Sequence, residues 1–156
     1  MMYESSFTQA DISCMAEALS LAQHAAAEGE VPIGAIVARD GEIVGRGWNQ
    51  NIGLHDPSAH AEIMAMRDAG KNLGNHRLPG CTLYVTLEPC PMCAGAMVHA
   101  RLARVVFGAS DPKTGAAGGR FDLLTDPAHN HVVTVDGGCC AEDSSAMLKI
   151  FFRQRR

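Results

Sequence analysis

The chain has 156 residues, a length that suits one domain. Apolar residues make up 47% and charged residues 19%, with 16 Gly and 7 Pro scattered along it, which excludes a disordered, linker-rich or fibrous chain. Thirteen basic against 17 acidic residues leave a formal charge of −4, so the surface as a whole is not built to coat nucleic acid and any such contact must be local. No apolar run approaches the roughly 18 residues of a membrane span, and the start, Met1 to Ser6, lacks the pattern of an export signal.

In chain order, Thr8-Gln9-Ala10-Asp11 reads as a capping box with Asp in place of Glu. Ile12, Met15, Ala16, Leu19, Ala22 and Ala26 then recur at helical spacing until Gly29 supplies a stop. Strands over residues 31–38 and 43–48 flank Arg39-Asp40-Gly41-Glu42, a hairpin turn by its Asp-Gly. Residues 49–57 read as a loop and 60–69 as a helix closed by Gly70. A strand over 81–87 leads to a helix over 91–100, with Pro91 near its first turn. A short strand over 104–108, a Gly- and Pro-rich loop to 119, a strand over 131–135 and a helix from about Glu142 onward complete the pattern. Helices alternating with strands predict an α/β fold with both faces of the sheet covered, antiparallel in its first hairpin and parallel in its later strands.

The six cysteines stand at positions 14, 81, 90, 93, 139 and 140. Without an export signal no disulfide framework is expected. Cys139 and Cys140 are adjacent, and Cys14 lies on the apolar side of the first helix, where a thiol acts as a small hydrophobe. Cys90 and Cys93 are i and i+3 at a helix start, so both sulfurs share one face and the helix end favours thiolates. Alone, the pair fits a redox dithiol, or half of a structural zinc site completed by Cys81, His55, His76 or His99. His60-Ala61-Glu62, at the start of another helix, adds a third reading. Two helix N-termini facing one point would bring His60, Cys90 and Cys93 together as a three-ligand zinc site with an open fourth position. A zinc of that kind makes water a nucleophile near neutral pH, and Glu62, a non-ligand, would carry the proton to the substrate. That chemistry suits hydrolytic removal of an amine from a heterocycle, and H-x-E…P-C-x-x-C is the signature of the zinc deaminases.

At these residues the chain resembles the cytidine/deoxycytidylate deaminase superfamily, and within it the bacterial members that act on transfer RNA. Glu30-Val31-Pro32-Ile33-Gly34-Ala35, Gly47-Trp48-Asn49, the segment from His55 to Glu62 and the segment from Thr86 to Cys93 carry the resemblance. So do Val105-Val106-Phe107-Gly108, the segment from Asp111 to Gly118, and the tail from Phe151 to Arg156. The resemblance implies a three-layer α/β/α cytidine-deaminase-like fold with a mixed central sheet, forming a single zinc-dependent deaminase domain over residues 1–156. It implies a cytoplasmic homodimer with one Zn2+ per subunit, held by His60, Cys90 and Cys93, and Glu62 as the catalytic proton carrier. The implied reaction converts the wobble adenosine in the anticodon arm of a tRNA to inosine, with Asn49, Ala61, Asp111, Phe151 and Arg153 binding the substrate. Ser110 departs from the Arg of many relatives, and the sequence shows no further basic tail after Arg156.

Several of these residues have simpler readings. Asn49 and Asp111-Pro112 are also plain turn residues, and Phe151 and Phe152 suit a helix core. Lys149, Arg153, Arg155 and Arg156 have no acid among them, which makes them the best local phosphate contact in an acidic chain. Two other functions stay open: a deaminase of a free base or nucleoside such as guanine, cytosine or cytidine, and a non-catalytic zinc-stabilised RNA-binding module.

Overall fold

A computed structural model describes residues 7–155; Met1 to Ser6 and Arg156 of the basic tail lie outside the described residues. The elements run α1 (Gln9–Ala27), β1 (Gly34–Arg39), β2 (Glu42–Trp48), α2 (Ala61–Leu73), β3 (Thr82–Leu87), α3 (Pro91–His99), β4 (Arg104–Ala109), β5 (Thr134–Gly137) and α4 (Ala141–Gln154). The capping box forms as expected, with Thr8 Oγ1 accepting the Asp11 N–H and Asp11 accepting the Thr8 N–H.

The sheet order is β2-β1-β3-β4-β5. β1 is antiparallel to both β2 and β3, whereas β3, β4 and β5 are parallel. β2, β3 and β4 therefore run in one direction, and their C-terminal ends leave the sheet on the same edge. Asn49, Glu88 and Ser110 each begin a segment there, and in a layered α/β fold that edge is where ligands bind.

Side chains alternate between the two faces, as the strand period requires. Ala35, Val37, Leu83, Val85, Val105 and Phe107 join the α2 alanines and Cys93, Ala94 and Met97 of α3 in one core. Ile36, Ala38, Tyr84 and Val106 face α1 in a second core with Met15, Ala18 and Cys139. The result is the three-layer α/β/α arrangement with a mixed sheet that the sequence predicts.

Two alignments of backbone hold α2 against β2. A Cβ at Gly45 would lie 2.5 Å from the Ala65 carbonyl oxygen, and one at Gly47 would collide with the Ala61 carbonyl. Ala61, Ala65 and Ala69 recur at i, i+4 and i+8 on the helix side of the same contact and are fully buried. Small residues on both surfaces let the helix rest on the strand almost backbone to backbone.

Three elements differ from the sequence-based expectation by more than one residue. β1 starts at Gly34 rather than residue 31, because Pro32 has no N–H for a ladder and the Ile33 N–H turns back to the Val31 carbonyl at 2.8 Å. α2 passes through Gly70 and ends at Leu73, where Gly74 takes the left-handed conformation at φ 67° and its N–H closes on the Gly70 carbonyl. β5 is 134–137 rather than 131–135. Upstream of it His131 is bound to the Leu102 carbonyl at 2.6 Å and the Val133 N–H to the Leu124 carbonyl, so pairing with β4 begins only at Thr134.

Candidate active site

His60 and Cys90 are both N-cap residues, of α2 and α3, and neither side chain caps its own helix. An N-cap side chain ordinarily accepts one of the free N–H groups of the first turn. Here part of the first turn is satisfied otherwise. Pro91 at the first position of α3 has no N–H to satisfy, and the Ala61 N–H of α2 donates to Asn49 Oδ1 at 2.8 Å. The imidazole and the thiol are thereby released to face each other across the gap between the two helix ends.

His60 Nδ1 lies 3.6 Å from Cys90 Sγ and 3.5 Å from Cys93 Sγ. All three ligand atoms fall within 4.8 Å of one another. Zinc bonds of roughly 2.0–2.1 Å to nitrogen and 2.3 Å to sulfur at tetrahedral angles place N and S about 3.5 Å apart. The donor atoms thus stand at the spacing one zinc ion requires. Two thiolates and one imidazole are also the donor set zinc prefers over hard, oxygen-seeking cations.

The electrostatics prepare these groups for a cation. A hydrogen bond from the Cys93 thiol, with His60 nearby, holds Cys90 at about 4, far below an ordinary thiol. The same bond together with burial pushes Cys93 upward. His60 is raised, first by its hydrogen bond to Cys90 and then by the negative charges of Glu62 and Cys90, against the opposing effect of burial. Glu62, in the first turn of α2, is 4% exposed, and burial lifts its carboxyl to about 7. A carboxyl with that affinity can both take and give a proton near neutral pH.

The other expected site residues are distributed less uniformly. Asn49 is buried where β2 ends, and its carbonyl is committed to Ala61, which leaves its amide N–H groups as the donors. Ala61 is fully buried with its N–H engaged, so it supports Asn49 instead of presenting a free polar group. Asp111 lies on the loop after β4 and spends its carboxylate on that loop. Oδ1 accepts the N–H groups of Lys113 and Thr114 at 3.0 and 3.2 Å, and Oδ2 accepts the Thr114 hydroxyl at 2.8 Å. Phe151 is buried beneath Arg155, whose guanidinium sits 3.7 Å from the ring centroid. The exposed aromatic of the tail is Phe152, edge-on to Phe151 and flanked by Lys149 and Arg153.

Two buried glutamates were not expected. Glu30 accepts the N–H groups of Ile52 and Gly53 at 3.1 and 2.8 Å, holding the loop between Asn49 and His60. Glu88 accepts those of Asp111, Ala117 and Gly119 at 2.8–2.9 Å, holding the loop on the opposite side. Their sequence signal is faint: a lone acid beside Val31-Pro32 in one case and beside Pro89-Cys90 in the other.

Comparison with known proteins agrees with this geometry. The family described as the cytidine and deoxycytidylate deaminase zinc-binding region matches residues 8–109. The tRNA-specific adenosine deaminase of Haemophilus influenzae is 52% identical over 147 residues, 94% of this chain and 85% of that one. A solved structure from a study of A-to-I editing by tRNA:A34 deaminases superposes with a TM-score of 0.82 at 42% identity, covering 87% of this chain and 99% of the other. The guanine deaminase of Nitrosomonas europaea superposes at 0.78 with 25% identity, covering 90% and 83%.

Proposed function

Since the chain belongs to the cytidine and deoxycytidylate deaminase family, we propose that it is a zinc-dependent hydrolase that converts the wobble adenosine of a tRNA anticodon to inosine, releasing ammonia. The observation that carries the chemistry is the meeting of His60, Cys90 and Cys93 at zinc spacing with a buried, proton-exchanging Glu62 beside them. The choice of RNA rests on likeness to relatives that act on it, at 52% and 42% identity over most of the chain.

His60, Cys90 and Cys93 hold the ion. When bound, zinc supplies the Lewis acidity that makes water a nucleophile near neutral pH. Glu62 takes one proton from the water and gives it to the ring nitrogen beside the attacked carbon, then takes the second from the new hydroxyl and gives it to the departing amine, the two-way traffic its raised proton affinity suits. Asn49 directs its amide N–H groups at the base, because its carbonyl is fixed on Ala61. The Asp111 loop and Arg153, with Lys149 and the Phe152 ring beside it, face the anticodon arm outside the reaction centre. Ala61 and Phe151 act behind these contacts, one holding Asn49 and the other anchoring the tail.

The protein works as a cytoplasmic homodimer in this reading. The depression between α2 and α3, lined by Ile63, Met66, Leu78 and Ala96 with Arg67, His76 and His99 beside them, supports self-association, and the paired thiols of Cys90 and Cys93 suit a reducing compartment.

The deciding experiment incubates the zinc-loaded protein with total tRNA and sequences the product for inosine. Inosine at the wobble position is expected. Ammonia released from guanine, cytosine or cytidine, with tRNA left unedited, overturns the substrate assignment in favour of a free-base or nucleoside deaminase.

A further inference from the structure

Glu88 is 4% exposed, placed just beyond the end of β3 and two residues before the ligand Cys90. Its carboxylate gathers three backbone N–H groups from one loop: Asp111 at 2.9 Å on Oε1, Ala117 at 2.9 Å and Gly119 at 2.8 Å on Oε2. Two main-chain bonds complete the seam, from the Ala116 N–H to the Pro89 carbonyl at 2.7 Å and from the Glu88 N–H to the Ala109 carbonyl at 2.8 Å. Ala116 is fully buried, and Ala117 and Cys90 pack against the same core cluster. The loop is thus a wall beside the end of α3 that carries the metal ligand. Asp111 sets the shape of its turn, and Glu88 sets its place.

Building on the reading of this loop as an RNA contact, we propose that Glu88 is a positioning residue for substrate binding: it pins loop 111–119 beside Cys90 so that the loop meets the anticodon arm already in its bound shape. Convergent N–H groups of this kind form an anion-binding nest, and here an internal carboxylate fills it with charge-assisted bonds. An amide cannot replace it. Gln offers one acceptor oxygen and one donor NH2, so at least one of the three N–H groups would face another donor. A loop released in this way must be ordered when RNA binds, which weakens binding. The loop lies outside the reacting atoms, so the loss falls on KM and leaves kcat nearly unchanged.

The test uses the zinc-loaded full chain and an anticodon stem–loop RNA, and compares the parent with Glu88→Gln. Losing a hydrogen bond to a charged group costs roughly 1.5–3 kcal/mol, about 10- to 100-fold. KM should therefore rise at least about tenfold with kcat within about threefold and one zinc per chain retained. The amides of Asp111, Ala117 and Gly119 should lose hydrogen-exchange protection. Gly119→Ala provides a second variant that leaves the carboxylate intact, since a Cβ there would collide with the Asp111 carbonyl, lie 2.6 Å from Glu88 Oε1 and 2.8 Å from Oε2, and force the loop off the carboxylate. It should raise KM in the same way, and it decides the question if Glu88→Gln does not fold. Retained amide protection in Glu88→Gln, an unchanged KM in either folded variant, or loss of zinc with a collapse of kcat overturns the proposal. A parent protein that leaves the RNA unedited overturns the function itself, and the exchange data then still decide whether Glu88 holds the loop.

Discussion

The side-chain carbonyl of Asn49 accepts the N–H of Ala61 at 2.8 Å, so a residue at the end of β2 caps the helix that carries Glu62. In the proposed function one amide group thereby has two duties, one on each of its terminal atoms. They separate by substitution. Asn49→Asp keeps an acceptor for Ala61 and adds a negative charge at a helix N-terminus, so the melting temperature should hold while turnover falls through loss of the N–H donors. Asn49→Ala loses both, and its uncapped, buried N–H should cost about 1–3 kcal/mol. Melting curves and kcat/KM on RNA for the two variants check this; equal activity in Asn49→Asp and the parent would remove Asn49 from the base contacts.

Glu62→Gln should keep zinc and fold yet lose about 10²–10⁴-fold in kcat, the usual weight of a general acid–base group. Its pH dependence is specific. In metal-free protein the carboxyl rests at about 7 against an ordinary 4.5, so the folded state binds the proton more tightly. Stability then falls as pH rises from about 4.5 through 7, by roughly 3 kcal/mol at full ionisation. Metal-free Glu62→Gln is free of that loss. It should melt above the parent near pH 8 and level with it near pH 4, as read by calorimetry.

Replacing Cys90 or Cys93 with Ser should drop metal analysis from one zinc per chain to well below it, because the three-donor set is broken. Mild acidification should release zinc from the parent as the ligands take up protons. A Cys90→Ser protein that still holds one zinc per chain would refute the ligand assignment.

The Asp11 carboxylate joins α1 to the sheet, accepting from the Tyr84 hydroxyl at 2.7 Å and from Arg104 at 2.8 and 3.2 Å. Burial alone would raise its pKa, but these bonds outweigh it and hold the group at about 2. Its contribution, about 2 kcal/mol, is complete above pH 4 and is lost as pH falls through 2. Asp11→Asn should therefore lower stability near pH 7 by at least that amount, and the difference should close as the pH approaches 2. Denaturant melts across that range measure it.

Charge reversal at Arg153 and Arg155 should weaken RNA binding and flatten its salt dependence by up to about 0.7–0.9 log units per lost phosphate contact, with zinc unchanged. The two tail aromatics should also part company. Phe151→Ala removes a buried ring and should cost about 3–5 kcal/mol, whereas Phe152→Ala should spare stability and weaken RNA affinity. Titrations at several salt concentrations resolve both effects, and an unaltered slope would leave the tail a solvated helix end.

The meeting of His60, Cys90 and Cys93 was legible in the sequence from residue type and spacing: Cys90 and Cys93 at i and i+3, and His60 two residues before an acid. The alternation of helices and strands was legible for the same reason of period. What stayed hidden was bonding to the main chain. Glu30 and Glu88 hold backbone N–H groups 22 to 31 residues away, and a backbone N–H has no residue type to read. The start of β5 was hidden likewise, since the bond from His131 to the Leu102 carbonyl is a tertiary contact that overrides a run of β-formers. Phe151 and Phe152 are chemically identical neighbours, and only the packing of α4 tells which is buried.

The bare contact between α2 and the glycines of β2 has a bearing on how this protein tolerates change. Side chains at an ordinary helix–sheet boundary act as compliant spacers, and a swapped Leu or Ile lets the two surfaces drift by a fraction of an ångström. Gly45 and Gly47 remove the spacer, so the height of α2 above β2 is set by main-chain atoms alone. His60 and Glu62 inherit that rigidity. A single methyl added at Gly47 would therefore displace His60 and Glu62 as a unit.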